Sequence, residues 1–464
     1  MKVILTRPWN TTSMLIPNHG LGYLATALRQ AGHDPVIIDC IRDRLHADAF
    51  VRRVLHEAPG LIGFQVYTFD LPTLRPYIDA LKPLNIPVVT GGPHPSAAPA
   101  DMIRRFPDVP LLIRGEAESS LTILADAIAR HGGIPGPELL ETIPGLVTPT
   151  TTDPESRSCV LNPDLDSLGF PDWEQISPLS YPIAPQGTFT RRLPVAPIIV
   201  TRGCPYPCTF CAGKIISGRA IRTRSVSHVM DELHYLVNTF GIREFHIQDD
   251  NFTFDRDYVL AFCQALTNSG LDLVWSCPNG IRLDSLDSSV LHAMEHAGCY
   301  SVAVGIESGS QRILNLMRKQ TALGDLIHKV REIRRVTRWE ITGFFIIGYP
   351  GETREEMEAT IRLSRRLPLD KANFGILMPL PGTGVEPVAR AAGWNPDTDM
   401  LRMSEYRSPF TPAGITQRQM RWILTRAFVG FYARPRIIWR FIRRIQSPDQ
   451  FRILCRRFID VVKP

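Results

Sequence analysis

The residues in this 464-residue sequence best suited to chemistry lie in Thr201-Arg-Gly-Cys204-Pro-Tyr-Pro-Cys208-Thr-Phe-Cys211. Three thiols stand at C-x3-C-x2-C spacing, and the next cysteine is Cys263. Four thiolates would complete the coordination of a [4Fe–4S] cluster. Three leave one iron open, and a metal needs an open position to bind a reactant. The other reading is zinc, which wants a fourth ligand; the nearest histidines are His228 and His234. The chain has nine cysteines, an odd count that argues against a disulfide framework.

The motif follows the first strand of an alternating series. Strands are expected at Pro197–Thr201, Glu244–Gln248, Leu273–Ser276, Ser301–Val304, Glu340–Ile347 and Ala372–Leu377. Helical periods lie between them, at Val226–Phe240, Tyr258–Asn268, Ser288–His296, Leu323–Val336 and Glu355–Arg366. Six such units suffice for a partial barrel and fall short of an eightfold one. An earlier series has strands at Val3–Arg7, Val36–Asp39, Leu61–Val66, Val88–Thr90 and Leu111–Arg114, alternating with helical periods that include Thr73–Leu84, Ala97–Phe106 and Ser119–His131. That alternation predicts a doubly wound parallel sheet, which binds ligands at the carboxyl ends of its strands. The expected organisation is therefore a first domain over 1–147, a linker over 148–195 rich in Thr, Pro, Ser and Asp, a barrel over 196–403, and a basic helical region over 404–464.

With Phe210 before the third cysteine, the motif resembles that of the radical S-adenosylmethionine (SAM) superfamily. The resemblance implies a partial (β/α)6 barrel and a [4Fe–4S] cluster on Cys204, Cys208 and Cys211. In that family the open iron chelates the methionine moiety of SAM, and an electron from the cluster yields a 5′-deoxyadenosyl radical. It further implies SAM contacts at Phe210, at Asp249 and Asp250 after the second strand, at Arg282 after the third, at Glu307 and Ser308 after the fourth, and at Gly348 after the fifth. From the residues alone, Asp249 and Asp250 also read as a turn and helix cap, and Arg282 as a surface residue. Thr353 with Glu356 reads as a capping box.

The first domain carries Leu21-Gly-Tyr-Leu-Ala-Thr-Ala-Leu, Ala31-Gly-His-Asp, Gly91-Gly92-Pro93-His94 and Arg114-Gly115-Glu116 in order. The series resembles the cobalamin-binding domain fused to class B radical SAM enzymes, and implies a cobalamin site at Tyr67, Gly91, Gly92, Pro93, His94, Gly115 and Glu116. Gly115-Glu116 opens a helix whose amides can receive an anion. The sequence lacks the Asp-x-His-x-x-Gly string of corrinoid domains that ligate cobalt by histidine. No protein histidine is therefore expected on cobalt, and its lower face is left to water or to a residue of Gln65–Tyr67 or Pro8–Gly20. A domain that has lost its cofactor is the bland alternative.

Together these resemblances imply an enzyme that methylates an unactivated carbon of a small-molecule or lipid-like intermediate. Relatives that catalyse oxidation, cyclisation or ring rearrangement supply the alternative. A low-potential electron donor of the flavodoxin or ferredoxin type is implied as partner. No side-chain acid or base is required, so none is named. Cys277 reads as a buried apolar residue rather than a substrate contact. A methylthiotransferase would need a second cysteine triplet, but only Cys40 and Cys159 precede the barrel.

The net charge is +6, and from Arg434 onward nine basic residues face only Asp449 and Asp460, so the body is close to neutral. A basic body would be expected of a nucleic-acid enzyme, and no such partner is expected. The short apolar run Val3–Leu5 is no signal peptide, and no run approaches ~18 apolar residues, so a cytoplasmic location is expected. In the tail, Phe428, Phe431, Tyr432, Ile437, Ile438, Trp439, Phe441, Ile442 and Ile445 interleave with arginines. Two readings stand: helices packed on the barrel, or peripheral contact with an anionic membrane.

Overall fold

Val3, Ile4 and Leu5 are at most 1% exposed, so the first strand must be covered on both faces. This strand, β1 (Lys2–Arg7), lies between β2 (Asp34–Asp39) and β3 (Leu61–Gln65), parallel to both. The sheet continues through β4 (Val88–Gly91), β5 (Leu111–Ile113) and β6 (Leu146–Val147) in the order β2-β1-β3-β4-β5-β6. The order reverses between β1 and β3, and such a switch point opens a crevice at the carboxyl ends. This is a computed structural model, and it describes residues 1–10, 15–181, 190–404 and 407–442.

In the first domain the sequence expectation is amended in two places. β6 is a sixth strand, antiparallel to β5, and its two residues are too few to show a period. The helix expected at Ala97–Phe106 is two helices, Pro93–Ala97 and Pro99–Arg105. Pro99 has no amide to continue the first of them.

In the second sheet, β7 (Val195–Ile198), β10 (Glu244–Ile247), β11 (Val274–Ile281), β12 (Cys299–Glu307), β13 (Glu340–Ile347) and β14 (Lys371–Ile376) are parallel, and their spatial order is their chain order. This is an open six-stranded barrel with β7 and β14 as edges. The first strand ends sooner than expected. Thr201–Arg202 (β8) instead pairs antiparallel with Arg222–Thr223 (β9), forming a small ribbon outside the barrel wall. At the floor of the barrel, Glu244 is fully buried and accepts from the amides of Arg191 and Arg192 at 2.7 and 2.8 Å. His246 and Tyr300 close on the same carboxylate.

The described part of the segment expected as a linker is strapped to both domains. Arg114 bonds the carbonyls of Ser96, Pro154, Glu155 and Arg157. Gln175 accepts from Ile37 N at 2.7 Å and donates to Pro35 O at 3.0 Å, which covers the free edge of β2. Trp173 Nε1 donates to Glu232 at 2.8 Å, and Glu232 pairs with Arg224; both charged side chains are 1% exposed. His19 Nε2 lies 2.9 Å from Pro197 O.

The helices Gln417–Tyr432 and Pro435–Ile442 pack Met420, Ile423, Ala427, Phe431 and Ile437 inward. The Tyr432 hydroxyl caps the edge of β14, donating to Ala372 O at 2.9 Å and accepting from its amide at 3.2 Å. The expected packing on the barrel is present. Residues 443–464, with Ile445, Cys455 and six of the tail's basic residues, lie outside the described residues, as do 11–14 of the Pro8–Gly20 loop and the side chains of Phe441 and Ile442. Among the described residues, no helix is long and apolar enough to cross a membrane.

Removing one partner of a buried ion pair leaves the other charge uncompensated. Glu232→Ala is expected to lower unfolding stability by about 3 kcal/mol in chemical denaturation. Glu57→Ala, which removes an ion pair whose Lys2 side chain is 31% exposed, is expected to change it by less than about 1 kcal/mol.

Candidate functional site

The three cysteines occupy the excursion between β8 and β9. The loop is pinned on several sides. Cys204 N donates to Gly218 O at 3.2 Å, and Thr209 N donates to Met317 O at 3.0 Å. Val385 N donates to Thr209 O at 2.9 Å, and the hydroxyls of Thr209 and Tyr349 lie 2.8 Å apart. The segments after β12, β13 and β14 therefore all hold the loop over the barrel mouth. Gly203 enters it at φ +102°, and a Cβ there would stand 2.2 Å from Ala220 O.

All three thiols are free. Cys211 is exposed, and Cys204 and Cys208 are half-buried. Burial raises the Cys208 thiol, opposed by Lys319 and Arg282. Among the described residues, no three His, Cys, Asp or Glu side chains converge on one point that could hold a single metal ion. Zinc requires such convergence at about 2.3 Å for sulfur. A [4Fe–4S] cluster does not, because each thiolate meets a different iron. His228 faces Arg224 and Asp166, not the loop. Three thiols are the donor set that a cluster with one open iron requires.

The residues expected around SAM divide into two groups. Asp249 and Asp250 end β10 and line a cavity that reaches the first domain. Asp249 is 4% exposed and accepts from the amides of Val200 and Thr201, both at 2.8 Å. Burial holds its carboxyl up to about 7. Asp250 and the Cys211 sulfur flank Gly213, where a Cβ would meet them at 3.6 and 3.4 Å. Phe210 is half-buried against the apolar cluster beneath the loop. Next to Asp250, Asn251 is 1% exposed, and neither its Oδ1 nor its Nδ2 has a partner. Such an orphaned buried amide has room for a water or another polar partner, although Asn251 is not among the residues that line the cavity.

Glu307 sits at φ +63° and accepts from Lys319 Nζ at 2.8 Å. A Cβ at Gly305 would press on both ends of this pair and shift it.

Three expected contacts face elsewhere. Arg282 is not a free guanidinium: it binds Asp284 at 2.8–3.2 Å, Lys319 O at 3.2 Å and Thr321 at 3.2 Å. Its charge lies 3.5 Å from the centre of the Tyr206 ring in the cysteine loop. The cause is that β11 runs five residues beyond its expected end, to Ile281, which brings Arg282 under the loop. Ser308 is fully buried and turned to Thr360, 3.3 Å away. The Gly348 amide is taken by Glu352 at 2.6 Å. The Thr353–Glu356 capping box is present.

The cavity measures about 340 Å³. Tyr67, Gly91, Gly92, Pro93, Gly115 and Glu116 line it from the first domain. Thr201, Arg202, Gln248, Asp249 and Asp250 line it from the barrel side. Gly92, at φ +97°, lets the backbone hug this wall; a Cβ there would press on Gln65 and Val66 at 3.1–3.2 Å. Glycines at the switch-point crevice let a ligand approach the backbone closely.

His94 is different: it is fully buried, with Nδ1 3.2 Å from Thr68 and Nε2 3.3 Å from Asp101, and it is not among the cavity-lining residues. Glu116 does not leave a helix end open for an anion. It accepts from both Arg222 terminal nitrogens at 2.7 Å and lies 3.4 Å from Arg202, which also meets Glu118 at 2.9 Å. Tyr67 stacks on Phe69 with Arg7 above it at 4.2 Å.

Sequence reasoning missed Lys319, Asn251 and the Arg202–Arg222 pair. Arg202 stands two residues before Cys204, which is the one signal that could have marked it. Cys277 is 2% exposed and lines no part of the cavity, as expected of an apolar packing residue.

Replacing Cys204, Cys208 or Cys211 with Ala is expected to cut the iron retained per chain after anaerobic reconstitution, whereas Cys263→Ala leaves it unchanged. Gly203→Ala is expected to act like the cysteine variants while the far-UV spectrum stays native. Burial also raises Glu352 from 4.5 to about 7. The unfolded chain then gives up this proton first, so stability falls as pH rises from 4.5 to about 7. Glu352→Gln should flatten the stability profile across that window.

Two family models match in this order: the B12 binding domain over residues 10–125 and the radical SAM superfamily over 198–364. An uncharacterised methyltransferase of Pyrococcus horikoshii is 30% identical over 429 residues, covering 91% of this chain and 89% of its own length. The cytidylyl-2-hydroxyethylphosphonate methyltransferase of Streptomyces wedmorensis is 27% identical over 434 residues, covering 83% and 80%. The fold is shared with the radical SAM methyltransferase TsrM of Kitasatospora setae, solved with tryptophan substrate and a SAM analogue (TM-score 0.67, 21% identity, 84% of this chain and 76% of that one). TsrM has also been solved with cobalamin and a [4Fe–4S] cluster bound. The chain belongs to the family of cobalamin-dependent radical SAM enzymes, whose cofactors are a [4Fe–4S] cluster, SAM and cobalamin.

Proposed function

We propose that this enzyme transfers a methyl group to an unactivated carbon of a small-molecule or lipid-like intermediate. One observation carries the reading: a single cavity joins the glycine cradle of the first domain to the Asp249–Asp250 end of the barrel. A substrate held there would face both cofactor surfaces at once. The two methyltransferase relatives support group transfer over oxidation or rearrangement. The tryptophan bound by TsrM supports a small-molecule substrate.

In this reading Cys204, Cys208 and Cys211 hold the cluster, and Asp250 and the Asn251 amide hold polar groups of SAM. Glu307 has one oxygen committed to Lys319 and offers the other to a hydroxyl. Gly91, Gly92 and Pro93, with the Tyr67 ring, receive cobalamin. When bound, these cofactors supply radical hydrogen abstraction and methyl donation. The protein's share is to position the reactants and exclude side reactions. Leu5, Leu24, Val89, Ile113 and Ile199 give the cavity apolar walls that exclude water. No acid or base is assigned, because no proton transfer from a side chain is needed.

The test is anaerobic. Protein with reconstituted cluster and added cobalamin is expected to carry about four irons and about one cobalt per chain. With a reductant or a flavodoxin-type donor, label from the SAM methyl group should then appear in a product. Iron without cobalt would overturn methyl transfer and leave the first domain as a substrate platform.

A further inference from the structure

Among the described residues, the C-terminal helices bury one face on the barrel and nothing covers the other. From Arg407 to Ile442 the sequence holds seven arginines and no Asp or Glu. On the outer face of Gln417–Tyr432, Trp422, Arg426 and Val429 fall at i, i+4 and i+7, so they form one stripe. Trp422 is 53% exposed and Val429 43%; on the next helix Ile438 is 45% exposed and Trp439 56%. Arg418, Arg421 and Arg436 are exposed among them. The neighbouring helix Arg354–Arg366 adds exposed Arg362, Arg365 and Arg366 at its end.

Some of this charge is neutralised. Arg426 meets Glu358 at 3.1 Å, and Arg440 pairs with Asp370. The junction of the two helices is not. Arg434 donates Nε to Phe431 O and Nη1 to Arg365 O, both at 2.8 Å, while its buried Nη2 has no hydrogen-bond partner. Burial and the like charges of Arg365 and Arg436 hold its guanidinium below the usual arginine range. Three arginines thus crowd one place with no carboxylate among the described residues beside them, which is the environment an anion would relieve.

We propose that this face docks the enzyme on an anionic lipid bilayer, with phosphate headgroups meeting Arg365, Arg434 and Arg436 and with Trp422, Val429 and Ile438 entering the interface. Charge and apolar area act together on such a surface: arginines bind headgroups while aromatic and aliphatic side chains sit at the acyl boundary. A second copy of the chain is a poor occupant, since a twofold contact through this face would bring arginines against arginines. A nucleic acid would use the charge and leave the aliphatic side chains in water.

The experiment uses the full chain and sedimenting vesicles, either of pure phosphatidylcholine or of equal parts phosphatidylcholine and phosphatidylglycerol. Binding is expected to the anionic vesicles alone and to weaken as salt rises. Arg365→Gln and Arg436→Gln should each weaken it roughly fivefold. Trp422→Ser with Ile438→Ser should weaken it at unchanged charge. All four positions are exposed, so the thermal unfolding midpoint of each variant should match the parent, which separates lost docking from lost folding. Equal binding to both vesicle types would overturn the proposal. So would no binding to either, or binding that none of these variants changes. A concentration-dependent dimer abolished by the same variants would also overturn it, by assigning the face to a protein contact. Iron and cobalt content does not enter this readout, so its outcome is independent of methyl transfer.

Discussion

The structure turns on a cross-domain knot of charge. Arg202 and Arg222 leave the two strands of the β8–β9 ribbon and end on Glu116 and Glu118 of the first domain. Their side chains are 13%, 10%, 7% and 9% exposed, so all four charges have lost most of their water. Such a group is worth having only when each charge keeps a partner of good geometry. Arg222 also bonds Asn162 O and Ser217 O, and the Arg202 guanidinium lies over the Tyr23 ring at 4.9 Å. The same ribbon carries the cysteine excursion. The cysteine loop is therefore anchored as much to the first domain as to the barrel it overhangs.

That anchoring accounts for the shape of the site. The cavity walls come from two sheets whose carboxyl ends face each other, and the ribbon closes the gap between them. Within the barrel mouth, strong polar groups are used in pairs: Glu307 with Lys319, Arg282 with Asp284, Asp249 with two backbone amides. Each pair holds a loop or strand end still. The Asn251 amide beside Asp250 stays outside this pairing.

The C-terminal helices show how one segment can satisfy two readings of its sequence. Their inner face covers the open edge of the barrel at β14, where Tyr432 caps the exposed backbone of Ala372. An open barrel needs such a cover, because an unpaired edge invites other strands. The outer face keeps its tryptophans and arginines in solvent.

Periodicity in the sequence is enough for the two α/β halves, for Glu340–Ile347 and the helices Val226–Phe240, Ser288–His296 and Leu323–Val336 to the residue, and for the thiol triplet. These features are local: side-chain alternation, helical period and the spacing of three cysteines all lie within a few residues. Long-range contact decided the rest. Nothing near Arg282 in the chain announces that β11 continues to Ile281 and turns that guanidinium onto Asp284 and Tyr206. Nothing near Glu116 announces Arg222, 106 residues away. His94 and Ser308 carry the right chemistry in the right motifs, yet packing turned them toward Asp101 and Thr360. Residue type and spacing determine which groups are available; the direction in which each side chain leaves its strand end depends on which distant charge or hydroxyl the fold brings within about 3 Å of it.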